Sequence, residues 1–176
     1  MNFTSFASSS HGNVYIISDD QTRILLECGV SFKRLQQMCG FKTAKLDGCI
    51  ISHEHKDHSS CVEKVIASGI PVYMSNGTAA ALELSESLLD IANEAQSGMQ
   101  ISIGTIDILP FSTMHDAREP LGFVMQSRLD GDILAYAIDT VNIPYNFPGV
   151  NLLAVEANFD QTILDRCVKT PDKVRR

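Results

Sequence analysis

The segment CIISHEHKDHSS, residues 49–60, places three histidines and an aspartate within six residues, directly after an apolar run. The apolar run predicts a strand. His53 and His55 would share one side of an extended chain, because side chains alternate along a strand. On a helix, residues two apart would point in different directions. We therefore expect these two imidazoles to converge at the strand end, whereas Asp57 and His58 lie where the chain leaves it.

This arrangement predicts two neighbouring divalent metal ions. His53 and His55 are expected to bind one ion, and Asp57 and His58 the other. Imidazole and carboxylate ligands suit zinc, manganese or iron, and the lack of cysteine argues against a closed structural zinc site. Two ions about 3.5–4 Å apart can generate hydroxide near neutral pH and stabilise both the attacking and the leaving oxygen of a phosphoester.

Two residues further along the chain are candidates to complete this site. His115 in FSTMHDA and Asp139 in LAYAIDT each end an apolar run, so both are expected at strand edges. Taken alone, Asp139 would be interpreted as a turn cap. Beside the histidine cluster, a carboxylate bridging two cations is the better interpretation. His11 lies in the polar run SSSHGN and is not expected to be a ligand.

The remaining pattern predicts a layered α/β domain. A hairpin is expected where the turn DDQ separates NVYIIS from TRILLE, and another at LDGD, residues 129–132. Further strands are expected at LDGCIIS, PVYMS, QISI, IDILPFST, GFVMQSR, DILAYAID and NLLAVEA. Periodicity alone leaves open whether these strands form one sheet or two.

Helices are predicted between and after these strands. SFKRLQQMC has helical spacing with Ser31 as its N-cap. SSCVEKVIASG is expected to begin at Ser59 or Ser60 and to end at Gly69. GTAAALELSESLLDIA is expected to form one continuous helix, and a final helix is expected to begin near Asp160.

Length and composition favour a single domain covering residues 1–176. The five cysteines form no C-x-x-C pair, which suits a reducing compartment and buried thiols. The chain has no 18-residue apolar window and no N-terminal secretory signal, so we expect a cytoplasmic protein without membrane contact. The net charge of −7 argues against extended non-specific nucleic-acid contact, although two divalent ions would offset about half of it.

The motif SHEHKDH resembles the H-x-H-x-D-H signature of the metallo-β-lactamase superfamily. The opening segments of its YycJ/WalJ-like branch are similar to SSSHGNVYII and ILLECGVSFKRL. The later segments of that branch are similar, in order, to IPVYMSNGT, STMHDAREPLGFVM, LAYAIDT and NLLAVEANFD. The resemblance extends over essentially the whole chain.

The resemblance implies an αββα sandwich with its site at one edge of two packed sheets. It also implies a phosphodiesterase, namely a 5′-to-3′ exonuclease acting on DNA. The implied ligands are His53, His55 and His115 for the first metal, Asp57 and His58 for the second, and Asp139 between the two.

The chain departs from this branch at two places. Glu27 or Cys28 stands where the branch usually has an aspartate that supports the ligand loop. Glu27 either reaches the same place with its longer side chain, or the support is lost. Proteins of the branch continue to a later histidine that completes the second metal site, but no histidine follows His115 here. We therefore expect a C-terminally truncated sandwich or an incomplete second site.

Three functions agree with these observations. The leading hypothesis is a two-metal nuclease, in which metal-bound hydroxide attacks phosphorus and Asp57 orients or deprotonates the water. A second hypothesis is a hydrolase of a small substrate, such as a cyclic nucleotide, a thioester or a lactam. A third is a metal-binding fragment without catalysis. The oligomeric state is left open.

Overall fold

The computed structural model of this chain describes residues 1–156. The helix expected near Asp160 and the cysteine at position 167 lie outside the described residues. The strands are β1 (Asn2–Ala7), β2 (Val14–Ser18), β3 (Arg23–Leu26), β4 (Gly48–Ile50), β5 (Val72–Met74), β6 (Asn93–Glu94), β7 (Ile101–Ile103), β8 (Ile106–Ser112), β9 (Leu121–Ser127), β10 (Ile133–Ala137) and β11 (Leu152–Val155). The helices are α1 (Phe32–Met38), α2 (Lys56–Ser59), α3 (Val62–Ala67), α4 (Asn76–Ala81) and α5 (Glu86–Leu89).

The strands form two sheets, which answers the question that periodicity left open. The first sheet has the order β1-β2-β3-β4-β5-β6, and the second has the order β11-β10-β9-β8-β7. The predicted hairpin of β2 and β3 is antiparallel, whereas β3, β4, β5 and β6 pair in parallel. Parallel neighbours require crossover connections, and helices α1 to α5 lie within those connections. This mixed α/β architecture with two sheets confirms the predicted fold class.

Alternate residues of the first sheet enter two different cores. One core lies on the helical side, where Leu35 of α1 and Val65 of α3 pack with Leu25 and Cys49. The other core contains residues of both sheets, with Ile24 and Ile50 of the first in the same cluster as residues of the second. Both faces of the central strands are therefore buried, which explains their nearly continuous apolar sequence.

Several local predictions needed correction. The stretch 77–92 forms two short helices rather than one, because Glu83 adopts a left-handed backbone with a φ of 52°. The helical stretch after His58 is also divided, and α3 begins after Cys61 rather than after Ser59 or Ser60. Strand β1 was not predicted, because its polar surface residues do not alternate cleanly with apolar ones. Ser31 does cap α1, accepting a hydrogen bond from the backbone N–H of Arg34.

Two expectations from composition can be compared with the structure. The four cysteines in the described part of the chain are buried and free of disulfide bonds, namely Cys28, Cys39, Cys49 and Cys61. Among residues 1–156, no helix is long and apolar enough to cross a membrane.

Asp19, in the turn between β2 and β3, is hydrogen-bonded within that turn and to residues of the second sheet and its turn. Its Oδ1 accepts hydrogen bonds from the backbone N–H groups of Gln21 (2.9 Å) and Thr22 (2.8 Å). Its Oδ2 accepts from the hydroxyls of Thr105 (2.6 Å) and Ser127 (2.9 Å), which belong to the second sheet and its turn. Burial alone would raise the pKa of Asp19, but these hydrogen bonds, led by that of Thr105, lower it to about 2.

Asp19→Asn is expected to reduce the free energy of unfolding at pH 7 by about 1–3 kcal/mol, because an amide nitrogen would face hydrogen-bond donors. The folded-state pKa of about 2 lies below the ordinary value of 3.8, so the stabilisation is present above pH 3.8 and is lost as the pH falls through 2. Urea titrations of wild type and variant should therefore converge toward pH 2. The exposed neighbour variant Asp20→Asn is the control, and an equal loss in it would contradict this assignment.

Candidate metal centre

The six predicted site residues come together in space. His53 and His55 follow β4, while Asp57 and His58 belong to α2. His115 lies in the loop after β8, and Asp139 lies two residues after the end of β10. His53 and His58 are each 1% exposed, so their positions are set by packing rather than by solvent. His11, which was not expected to be a ligand, is exposed and lies outside this group.

Three imidazoles form the first donor set. The ring centroid of His53 lies 4.7 Å from that of His55 and 4.7 Å from that of His115. His115 Nε2 lies 3.1 Å from His55 Nδ1. Ligand atoms of the three residues all lie within 4.8 Å of one another, so one small cation could contact all three. This is the set that the resemblance implied for the first metal.

A second donor set includes the carboxylate of Asp139. Its Oδ2 lies 2.8 Å from His58 Nε2 and 3.5 Å from His53 Nε2. Asp57 Oδ2 lies 3.3 Å from His58 Nε2. Ligand atoms of His53, His58 and Asp139 all lie within 4.8 Å of one another. Asp139 thus lies between a residue of the first set and the pair Asp57 and His58, as a bridging carboxylate would.

The protonation of this group is strongly perturbed. Burial, together with the neighbouring histidines, lowers the pKa of His53 to about 2, which leaves a neutral imidazole. Burial also lowers the pKa of His115. Burial would lower the pKa of His58 as well, but Asp139 and Glu27 raise it to about 10. His58 in turn holds the pKa of Asp139 well below its usual range.

The donor chemistry fits divalent metal ions. His53 Nδ1 lies 2.9 Å from the Ser52 hydroxyl, which leaves Nε2 directed at the group. That Nε2 is buried and has no hydrogen-bond partner within the described residues. A buried polar atom without a partner is costly, and a metal ion would supply one. A ligating histidine whose other nitrogen is held by a neighbour is a common feature of metal sites.

Glu27 lies next to His58, which bears on whether its longer side chain supports the ligand loop. Its carboxylate is fully buried and accepts hydrogen bonds from the backbone N–H of Ser52 (3.3 Å) and the hydroxyl of Tyr136 (3.1 Å). Glu27 Oε2 lies 3.7 Å from His58 Nδ1, on the ring edge away from Asp139. The longer side chain of Glu27 therefore does reach the ligand loop. Cys28 is also buried, but its side chain belongs to the helical-side core.

Two acids of the site, Glu27 and Asp139, have unusual backbone conformations. Glu27 has a φ of 63° and Asp139 a φ of 49°, in the left-handed region that non-glycine residues rarely adopt. Each follows the end of a strand, where no helix termination requires this conformation. Such strain is concentrated at functional sites, and here it directs both carboxylates toward His58.

Asn13 is a residue of this site that the sequence did not indicate. Its amide Nδ2 donates to Asp57 Oδ2 at 3.3 Å and lies 3.0 Å from His58 Nε2. Its Oδ1 accepts a hydrogen bond from the Tyr15 hydroxyl at 3.1 Å, which fixes the orientation of the amide. The backbone N–H of Asn13 also donates to the Asp57 carbonyl at 2.7 Å. Asn13 therefore positions Asp57 and His58 of α2 at once.

Gly29 allows this close approach of the chain. A Cβ added at Gly29 would lie 1.6 Å from the carbonyl oxygen of Asp57, a distance that no side chain could occupy.

Glu156 was also not singled out from the sequence, although it follows the apolar run NLLAV just as Asp139 follows LAYAI. Its Oε2 accepts a hydrogen bond from the backbone N–H of Asp139 at 3.0 Å. The signal that identified Asp139 could have identified Glu156.

Glu27→Gln is expected to weaken metal binding by about 10–100-fold, the usual effect of changing a residue that supports a ligating histidine. The amide removes the negative charge facing His58 Nδ1 and brings an N–H group against the donors of Ser52 and Tyr136. Competition with a chelator measures this change. Tyr136→Phe, which removes only one of these hydrogen bonds, is the matched control and should have a smaller effect. Unchanged affinity in Glu27→Gln would show that the carboxylate only fills space.

Comparison with protein families places the chain in a known class. Residues 22–175 match the Beta-lactamase superfamily domain. The chain therefore belongs to the beta-lactamase superfamily, a superfamily of hydrolases. The resemblance expected from the sequence is confirmed.

Two curated relatives are similar to this chain over most or all of its length. Exodeoxyribonuclease YycJ of Bacillus anthracis is 27% identical over 188 residues, covering 100% of this chain and 69% of the relative. Exodeoxyribonuclease WalJ of Streptococcus pneumoniae is 27% identical over 174 residues, covering 92% of this chain and 64% of the relative. The chain thus spans about two thirds of the length of these curated relatives.

Solved structures support the fold. A metallo-beta-lactamase of Cronobacter sakazakii with a HARLDQ motif has a TM-score of 0.62 at 18% identity, covering 81% of this chain and 70% of that chain. The metallo-beta-lactamase fold protein YhfI of Bacillus subtilis has a TM-score of 0.60 at 17% identity, covering 76% of this chain and 60% of that chain. At these identities the likeness concerns the fold alone.

Proposed function

We propose that this protein is a metal-dependent phosphodiesterase with a dinuclear centre, and specifically a 5′-to-3′ exonuclease acting on DNA, contained in one domain over residues 1–176. The single observation that carries the proposal is the arrangement of the two donor sets around His53, with Asp139 between them. Two adjacent cations are the arrangement that clamps both oxygens of a phosphodiester displacement.

The proposed metal ligands are those of the sequence hypothesis. His53, His55 and His115 would hold the first ion, Asp57 and His58 the second, and Asp139 both. Zinc and manganese suit these ligands, and iron would also be accepted. When bound, two divalent ions lower the pKa of water toward neutral and stabilise negative charge on phosphate oxygens.

The residues of the chain have separate tasks in this proposal. Asp57 orients the attacking water and can accept its proton at a carboxylate oxygen. Asn13 holds Asp57 in place through its amide, 3.3 Å from Asp57 Oδ2. Glu27 orients the ring of His58 through its carboxylate, which faces His58 Nδ1. Because these groups are already held by neighbours before substrate binds, they need little reorganisation during the reaction.

Two exposed basic residues, Lys56 and Arg118, support the proposal of a polyanionic substrate. Lys56 lies between His55 and Asp57 in sequence, and its side chain is exposed. Arg118 is also exposed, and its backbone N–H donates to Glu54 Oε1 at 2.8 Å, which places it beside the ligand loop. In a chain with a net charge of −7, positive groups at the edge of the site favour an approaching phosphate. The names of YycJ and WalJ favour DNA.

The proposal is tested with single-stranded DNA labelled at the 5′ or the 3′ end, incubated with the protein and zinc or manganese. We expect labelled mononucleotide to be released first from the 5′-labelled strand. Chelator should stop the reaction, and salt should reduce it steeply because phosphate contacts are screened. Cleavage of a cephalosporin, a thioester or a cyclic nucleotide, with DNA left intact, would favour the small-substrate alternative. Metal uptake without any turnover would favour the non-catalytic fragment.

A further inference from the structure

A cleft adjoins the candidate metal centre and is used by none of the roles described so far. Its volume is about 430 Å³, and Asp57, His58 and Asp139 contribute to its lining. Strand β1, at the edge of the first sheet, and strand β11, at the edge of the second sheet, both line it. This volume lies within the range of about 300–1,000 Å³ that is typical of small-molecule sites. It suits one nucleoside and excludes a duplex.

The walls of the cleft offer flat apolar surface. Phe3 stacks on Tyr15 with ring centroids 5.4 Å apart, and Phe3 is only partly buried. Ile138 and Ala154 line the cleft from the second sheet. Aromatic side chains with an accessible surface are the groups on which nucleobases stack, whatever the base.

Charge decides which part of a nucleotide the cleft can accept. Among the described residues that line it, the charged ones are acidic apart from His58, and none is a lysine or an arginine. These acids lie at the metal end, since Glu156 accepts a hydrogen bond from Asp139, and the rest of the described lining is neutral and offers no positive charge to hold a phosphate. The neutral base and sugar are accepted, while the attached phosphate is left at the end formed by Asp57, His58 and Asp139, where the cations would lie.

Hydroxyl groups supply polar contacts suited to a sugar and a base edge. Ser8, Ser9 and Ser10 all contribute to the lining. Ser8 Oγ lies 3.0 Å from the Tyr15 hydroxyl, and a serine hydroxyl can both donate and accept hydrogen bonds. Neutral hydroxyls contact a nucleoside without requiring a charged group on it.

We infer that this cleft is a nucleoside subsite, which binds the single nucleoside attached to the scissile phosphate. The inference rests on the proposed function, because it assigns a substrate part to the same site. It explains why a chain end would be preferred, since only an unpaired terminal nucleoside can enter so small a cleft.

The binding test uses thymidine, which carries no phosphate, and the metal-free 176-residue protein. Saturation-transfer NMR should show contact with both the base and the sugar protons. Ser5→Trp fills the cleft from β1, because Ser5 lines it and pairs with Tyr15. Thr4→Trp is the matched control, since Thr4 is also exposed but points to the other side of the strand. We expect at least a tenfold loss of thymidine affinity in Ser5→Trp and none in Thr4→Trp.

A second variant covers the case in which Ser5→Trp does not fold. Phe3→Ala removes the stacking surface and should weaken thymidine binding at least fivefold. Absence of thymidine binding to wild type, or equal affinity in wild type, Ser5→Trp and Phe3→Ala, would overturn the inference.

Measurements of ester hydrolysis test this inference separately from the proposed function. With metal, the p-nitrophenyl ester of thymidine 3′-phosphate, in which the nucleoside is joined to phosphorus through its 3′ oxygen as at a 5′ chain end, should be cleaved with at least tenfold higher kcat/KM than bis(p-nitrophenyl) phosphate, and Ser5→Trp should remove only that advantage. Cleavage of both esters at equal rates would reject the subsite and leave the diesterase intact. Thymidine binding without cleavage of either ester would reject the diesterase and support the subsite.

Discussion

Replacing His53 and His55 together by alanine is expected to reduce bound metal to background and to abolish metal-dependent hydrolysis. The double change removes two of the three imidazoles in the first donor set, and His53 also belongs to the second set. Because a bound metal contributes several kcal/mol to the stabilisation of transition-state charge, the loss in kcat/KM should be on the order of 10³-fold or more.

Elemental analysis after dialysis measures the bound metal directly. His11→Ala is the control, because His11 is exposed and lies outside both donor sets. Circular dichroism should show that the double variant remains folded. Wild-type metal content in a folded double variant would show that the site has been misassigned.

The second large effect is expected for Asp139→Asn. Asparagine tolerates a left-handed backbone such as the φ of 49° at this position, so the local fold should be retained. The change removes the negative charge between His53 and His58, where two cations would be balanced. We expect the more weakly held ion to be lost and diester hydrolysis to fall by about 10²-fold or more, a decrease equivalent to about 2.7 kcal/mol.

Chelator titration with a count of bound metal distinguishes loss of one ion from loss of both. With the shared Asp139, the first ion would have four protein ligands and the second, held by Asp57, His58 and Asp139, only three, so we expect the second ion to leave first. Asp90→Asn is the control, because Asp90 is exposed at the end of α5. A folded Asp139→Asn protein with unchanged activity would leave Asp139 only the role of a turn residue.

Local sequence was sufficient for most of the strands, though not for β1 and β6, and for the approximate positions of the helices. The hairpin of β2 and β3 and the start of α1 after Ser31 follow from apolar runs and capping, which act over a few residues. The long helix expected over residues 77–92 was wrong, because its division at Glu83 depends on how α4 and α5 pack on the core. Tertiary packing commonly overrides helix propensity.

The candidate ligands were recognisable because their spacing carries chemical information. His53, His55, Asp57 and His58 lie in one short segment, and His115 and Asp139 each end an apolar run. The supporting residues left no comparable pattern. Asn13 and Asp57 are 44 residues apart, and Glu27 and Tyr136 are 109 residues apart, so their contacts exist only in the folded chain.

The sequence by itself therefore determined the family, the layered α/β class and the candidate metal ligands, because each depends on residue type and short-range spacing. Only the tertiary structure decided that the strands divide into two sheets, that Glu27 reaches His58, that Asn13 holds Asp57, and that a cleft lies between β1 and β11. These features depend on contacts between distant segments, whose geometry is set by the packing of both sheets against a common core.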